Sequence, residues 1–189
     1  MKRYSQGAVH GRFQPFHKDH LRYCLAAKRR CDFLWVGITQ PDVRKLIRSP
    51  KDKHRQLAVN NPLSYFERHT IIKASLLDAG LKREDFEVIP FPIDEPDRLV
   101  DFLPLSIPIF TTVNDKWNLH KIKVLTESGY KVFILWKSAK KHEGNRIRKL
   151  ISRGDPAWKA EVPAVARKLL QEMDIESRIR RVRSDSICE

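Results

Sequence analysis

Five short apolar runs, each parted from the next by helical or turn-like sequence, narrow the folds open to this chain more than anything else. They lie at residues 7–9, 33–38, 86–91, 107–112 and 130–136. Helical periodicity fills 17–30, the stretch from Asn61-Pro62 through Phe66, Ile71, Ile72 and Leu76, and 116–127, with a shorter helix at 98–103. Strands alternating with helices predict a parallel sheet covered on both faces. Phe33-Leu34-Trp35-Val36-Gly37-Ile38 is apolar without interruption, as a central strand buried on both faces requires. Asn61 reads as an N-cap with Pro62 at the first helical position, and Gly80 and Gly129 read as stops. Beyond Trp136 the strands cease. Helical patterns at 145–152, 163–173 and 175–183 follow, broken at Gly154-Asp155-Pro156 and near Asp174. The expectation is one domain over 1–189: a doubly wound, five-stranded parallel α/β core to residue 137 and a helical part over 138–189.

Composition fixes the class. With 41% hydrophobic and 32% charged residues, the chain reads as globular rather than disordered. No apolar run approaches the roughly 20 residues of a membrane span, and no signal-peptide pattern opens the chain. Three cysteines without metal-ligand spacing, Cys24 and Cys31 seven apart on the first predicted helix, suggest buried reduced thiols and a cytoplasmic protein. The formal charge of +14 attracts polyanions. Lysine and arginine crowd the polar stretch 39–60, whose length inside a compact domain predicts a functional segment or a lid.

The chemistry concentrates in Gly11-Arg12-Phe13-Gln14-Pro15-Phe16-His17-Lys18-Asp19-His20. A strand, a tight turn and a helix opening there would aim main-chain N–H groups at an anion. His17 and His20, at i and i+3, fall on one face of the first turn and could donate to the same phosphate. The plain alternative is a buried turn with two incidental histidines. His10 reads as a strand residue, and Phe13 and Phe16 as core.

Gly11–His20 resembles the HxGH signature of the nucleotidyltransferase superfamily, and its wording is similar to that of archaeal-type nicotinamide-nucleotide adenylyltransferases. Other segments resemble that family in the same order: Asn61-Pro62-Leu63 with Glu67-Arg68, Thr112-Val113-Asn114-Asp115, Gly144-Asn145-Arg146-Ile147-Arg148, and Gly154-Asp155-Pro156-Ala157-Trp158 with Val162-Pro163. The resemblance implies a Rossmann-like, HUP-type fold and transfer of AMP from ATP to a phosphomonoester, nicotinamide mononucleotide first among them, with release of pyrophosphate. It implies His17, His20 and Arg148 as catalytic groups, and Gly11, Arg12, Phe13, Gln14, Gly144 and Asn145 as further nucleotide-binding residues. Arg12, Leu99, Asn114 and Trp117 would meet the second substrate. Mg²⁺ would be held mainly through the triphosphate, with no dedicated protein ligands. A homo-oligomer is expected.

The chain departs from the family's pattern at four places. Asp19 replaces the glycine of HxGH, Glu143-Gly144-Asn145 replaces Ser-Gly-Thr, Asn60 replaces an arginine, and Leu99 stands near the position of a nicotinamide-stacking tryptophan. Two alternatives therefore stay open. One is a CTP-dependent cytidylyltransferase acting on an alcohol phosphate. The other is a degenerate nucleotide- or RNA-binding protein, which the charge would suit. A class I aminoacyl-tRNA synthetase is not expected, because 189 residues leave no room for an anticodon-reading domain.

Overall fold

The computed structural model describes residues 3–42, 58–113, 116–138 and 141–185. Five parallel strands form one sheet in the order β3-β2-β1-β4-β5: β1 Tyr4–Gly11, β2 Cys31–Ile38, β3 Phe86–Pro90, β4 Ile109–Val113 and β5 Val132–Lys137. The uninterrupted apolar run at 33–38 belongs to β2, but the middle of the sheet is β1, which pairs with β2 on one side and β4 on the other. Chain order reverses between β1 and β4. Doubly wound sheets open a crevice at such a switch point, beyond the carboxyl ends of the strands.

Helices α1 (Lys18–Lys28), α2 (Tyr65–Asp78), α3 (Pro96–Leu99) and α4 (Lys116–Glu127) connect the strands, and α5 (Gly144–Ser152), α6 (Trp158–Glu161), α7 (Ala164–Glu172) and α8 (Ile175–Asp185) follow them. Two apolar clusters form the core. Neighbouring residues of β1 part between them, Val9 to the larger and Ala8 to the smaller, as a strand's period of two requires. Ile147 and Ile151 of α5, Trp158, and Ile175 and Ile179 of α8 join the larger cluster with Phe13, Phe16 and Ile71. The late helices thus share a core with the sheet. Among the described residues no helix is long and apolar enough to cross a membrane.

Three local expectations are corrected. Cys31 opens β2 instead of lying one helix face from Cys24; both thiols are free and buried, and burial raises them to about 12 for Cys24 and about 11 for Cys31. The N-cap of α2 is Ser64, not Asn61. Its hydroxyl accepts the Glu67 N–H at 3.2 Å while Glu67 Oε2 accepts the Ser64 N–H at 2.8 Å, so two orphan donors are satisfied together. The short helix expected at 98–103 is α3, started earlier by Pro96.

Candidate active site

The first half of the site is the turn between β1 and α1. Gly11 ends β1 where a Cβ would meet the Phe13 ring at 2.8 Å. Phe13 adopts φ of 53°, a left-handed conformation costly for an aromatic residue, and its ring packs against Phe16 and His20. The Gln14 amide is held at both ends: Nε2 donates to the Leu63 carbonyl at 2.7 Å and Oε1 accepts the Leu63 N–H at 3.0 Å. The turn is thereby fastened to the start of α2.

His17 is the N-cap of α1, and the two histidines cap the helix reciprocally. His17 Nδ1 accepts the His20 N–H and His20 Nδ1 accepts the His17 N–H, both at a long 3.4 Å. The rings stack, with centroids 3.5 Å apart and 19° between planes. In a neutral imidazole, an Nδ1 that accepts leaves the proton on Nε2. Two parallel rings, each with Nε2–H as its donor, sit at a helix N-terminus whose dipole also favours an anion.

The second half comes from α5. Its N-cap, Glu143, makes no side-chain capping bond. Arg148 is buried, and its guanidinium donates from Nη1 to the Gln14 carbonyl at 2.5 Å and from Nη2 to Asn60 Oδ1 at 2.8 Å. Burial lowers it to about 10, so it stays charged at neutral pH. Among the described residues no carboxylate pairs with it. A buried cation whose partners are all neutral is well placed to receive an anion. Gly144 lies so close to the turn that a Cβ would fall 2.7 Å from the Gln14 carbonyl oxygen and 3.3 Å from Arg148 Nη1.

Asp19 completes the junction: its Oδ2 accepts the N–H groups of Lys141 and His142 at 2.9 and 3.0 Å. Burial alone would raise this carboxyl, but the two N–H groups and the nearby His142 and His17 hold it below its ordinary value of 3.8. Glu161 of α6 contacts His142 Nδ1 at 2.5 Å and Arg146 at 3.2 Å.

Arg68 binds the strand ends together from beneath. Fully buried, it donates to the carbonyls of Ser64 (3.2 Å), Arg12 (3.0 Å), Thr39 (2.9 Å) and Gln40 (2.8 Å), and burial lowers it to about 10. The loops after β1 and β2 are thus fixed by one side chain. Glu67 extends the frame to α8 through Arg178, 2.7 Å away.

The structure therefore brings Gly11, Phe13, Gln14, His17, His20, Gly144 and Arg148 to one place, while Arg12 stands in the same turn and lends its carbonyl to Arg68. Asn145 is exposed in the first turn of α5. Leu99 does not belong with them. It has no exposed surface and packs with Phe91, Ile93 and Leu103. Trp117 is the second residue of α4, beyond β4, and Asn114 and most of the basic stretch at 39–60 lie outside the described residues. Asn60, Arg68 and the Asp19 tether are missed by sequence reasoning. The departures at Asp19 and Asn60 and the motif Glu67-Arg68 mark these positions, but none of them gives the contacts.

No family model matches the chain. A phosphonoformate cytidylyltransferase from Streptomyces viridochromogenes is 36% identical over 92% of this chain and 95% of its own length. A nicotinamide-nucleotide adenylyltransferase from Ignicoccus hospitalis is 30% identical over 90% of this chain and 93% of its own. The chain belongs to the nucleotidyltransferase superfamily. Within it, the archaeal nicotinamide-nucleotide adenylyltransferases are among its relatives, and it is an enzyme of nucleotidyl transfer. The fold of this nucleotidyltransferase matches a bifunctional NMN adenylyltransferase/ADP ribose pyrophosphatase from Francisella tularensis, complexed with AMP and a manganese ion. The TM-score is 0.63 at 18% identity, covering 94% of this chain and 52% of the other, so the chain spans about half of that protein.

Proposed function

We propose that the enzyme transfers the AMP moiety of ATP to a small phosphomonoester, with nicotinamide mononucleotide the leading acceptor, and releases pyrophosphate. One observation carries the reading. Arg148, from the late helices, reaches the Gln14 carbonyl beside the paired imidazoles, so the two phosphate-gripping motifs form one site. An acceptor phosphate oxygen attacks the α-phosphorus of ATP, the bond to the β-phosphate oxygen breaks, and the electron pair leaves with pyrophosphate. The acceptor is already an anion and needs no covalent enzyme intermediate. Protein catalysis then reduces to alignment and charge stabilisation. The Nε2–H groups of His17 and His20 steady charge on the transferred and leaving phosphates, and Arg148 holds the β- and γ-phosphates from the other side. Arg12, in the turn, lies between triphosphate and acceptor. Mg²⁺ enters with the triphosphate as part of the substrate. The same reading includes a cytoplasmic enzyme with reduced thiols and a homo-oligomer.

A second reading, CTP with a small phosphonate or alcohol phosphate, is favoured by the 36% identity to a phosphonoformate cytidylyltransferase and by the burial of Leu99. One experiment weighs both. Pyrophosphate release is measured for ATP and CTP, each with nicotinamide mononucleotide, phosphonoformate and a panel of phosphomonoesters, and the adduct is identified by mass. A dinucleotide from ATP is expected; a CMP adduct alone would move the assignment to the second reading. No pyrophosphate with any pair, together with salt-steep RNA binding, would overturn both.

A further inference from the structure

The aspartate that stands where the family's motif has glycine is not a flaw in the grip. We infer that Asp19 is a positioning residue, which locks the approach to α5 onto the first turn of α1 and so sets the distance between the paired imidazoles and Arg148. The inference rests on the proposed triphosphate site, and it assigns the residue that gives that site its geometry.

Four observations carry it. First, Asp19 Oδ2 accepts two main-chain N–H groups, at 2.9 and 3.0 Å, from residues 122 and 123 positions away in sequence. Those donors, Lys141 and His142, immediately precede the N-cap of α5. Secondly, Asp19 lies between His17 and His20 in the same helical turn, so whatever it holds is placed relative to both rings. Thirdly, a separate bond returns across the junction: Arg148 Nη1 donates to the Gln14 carbonyl. One tether runs from α1 to the approach to α5 and the other from α5 to the turn before α1, with Gly144 pressed against Gln14 between them. Two crossed tethers fix orientation as well as separation, which a single bond does not. Fourthly, the held residue is braced from behind, because Glu161 contacts the His142 ring and Arg146.

The negative charge is accommodated by the same bonds. A carboxylate accepting two N–H groups at a helix N-terminus is stabilised by both and by the dipole. Its action on the nucleotide is therefore geometric. The three groups meant to contact phosphate need not be drawn together by the substrate, which lowers the ordering cost of binding.

Three variants test this: Asp19→Asn, Asp19→Ala and Asp19→Gly. The asparagine carbonyl oxygen can still accept both N–H groups but carries no charge; alanine and glycine remove the acceptor. Hydrogen exchange at the Lys141 and His142 amides reads the tether without reference to any substrate. Protection is expected in the native protein and the asparagine variant, and its loss in the other two. In steady-state kinetics with ATP or CTP, whichever the native enzyme turns over, alanine and glycine should lower kcat/KM by roughly 10- to 100-fold, mainly through KM for the triphosphate. The asparagine variant should stay within about threefold of the native enzyme. Equal kinetic losses in the asparagine and alanine variants would show that charge, not position, is what Asp19 supplies. Amides still protected in the alanine variant, or tighter triphosphate binding in the glycine variant, would likewise overturn the inference. If no triphosphate is turned over by the native protein, the proposed function fails while the exchange data still decide the tether.

Discussion

Replacing Arg148 with alanine should cost this enzyme far more activity than stability, and the difference can be worked from its surroundings. Arg148 is 5% exposed, and its guanidinium donates two hydrogen bonds, to Gln14 and Asn60. Bonds from a charged donor are each worth about 1.5–3 kcal/mol. Against them stands the cost of burying a cation with no carboxylate beside it among the described residues, several kcal/mol, which alanine relieves. The two nearly offset, so the unfolding free energy should fall by about 2 kcal/mol or less. Catalysis has no such compensation. A donor aimed at charge that accumulates in the transition state is worth about 2.7–4 kcal/mol, or 10²- to 10³-fold in kcat. Arg148→Lys should recover little of this, because a single ammonium cannot span both acceptors and a phosphate. Urea unfolding and pyrophosphate release, measured on the same preparations, check the split. Activity of folded Arg148→Ala within about threefold of native would refute the reasoning, as would a stability loss above about 4 kcal/mol that accounts for the lost activity.

The two histidines should separate capping from catalysis in a similar way. Asparagine can replace His17 Nδ1 as an N-cap acceptor but offers nothing at Nε2, so His17→Asn should retain about 0.5–2 kcal/mol of stability that His17→Ala loses, while turnover drops about 10²-fold in both. Equal melting temperatures for the two variants would contradict the reciprocal cap, and an active asparagine enzyme would contradict the Nε2 donation. The Glu67 carboxyl gives a pH prediction. Burial raises it, but the Ser64 N–H and Arg178 together bring it below its ordinary value of 4.5. A folded value below the unfolded one contributes stability that is complete above the unfolded range and is lost as pH falls through the folded value. The stability gap between the native protein and Glu67→Gln should therefore be widest near neutrality and close below about pH 4; a gap that is constant with pH would remove the ion pair with Arg178 as its cause.

What the sequence disclosed, and what it concealed, follow the reach of the interactions involved. Strand and helix order were legible because burial imposes a period on neighbouring residues, and α4 at Lys116–Glu127 falls where its pattern predicts. The paired histidines were legible for the same reason, since i and i+3 share a helical face. Asp19 and Arg68 were not. Their partners are main-chain groups up to 123 residues away, and a carbonyl or an amide has no letter in the sequence. Asn61-Pro62 offers a louder local N-cap signal than Ser64, although only Ser64 has a glutamate three residues on. Leu99 is a different case: its expected contact comes from the family resemblance alone, while its apolar side chain packs in the smaller cluster.

The abutment of Gly144 on the Gln14 carbonyl has one more consequence. A clasp whose jaws already touch, with no room for a methyl group at the contact, cannot narrow further to suit one nucleotide over another. On the proposed function they meet the phosphate tail, which adenine and cytosine nucleotides have in common. Discrimination between bases must therefore be made farther out, where the ring rests, and this enzyme's choice of nucleotide could change without altering its clasp.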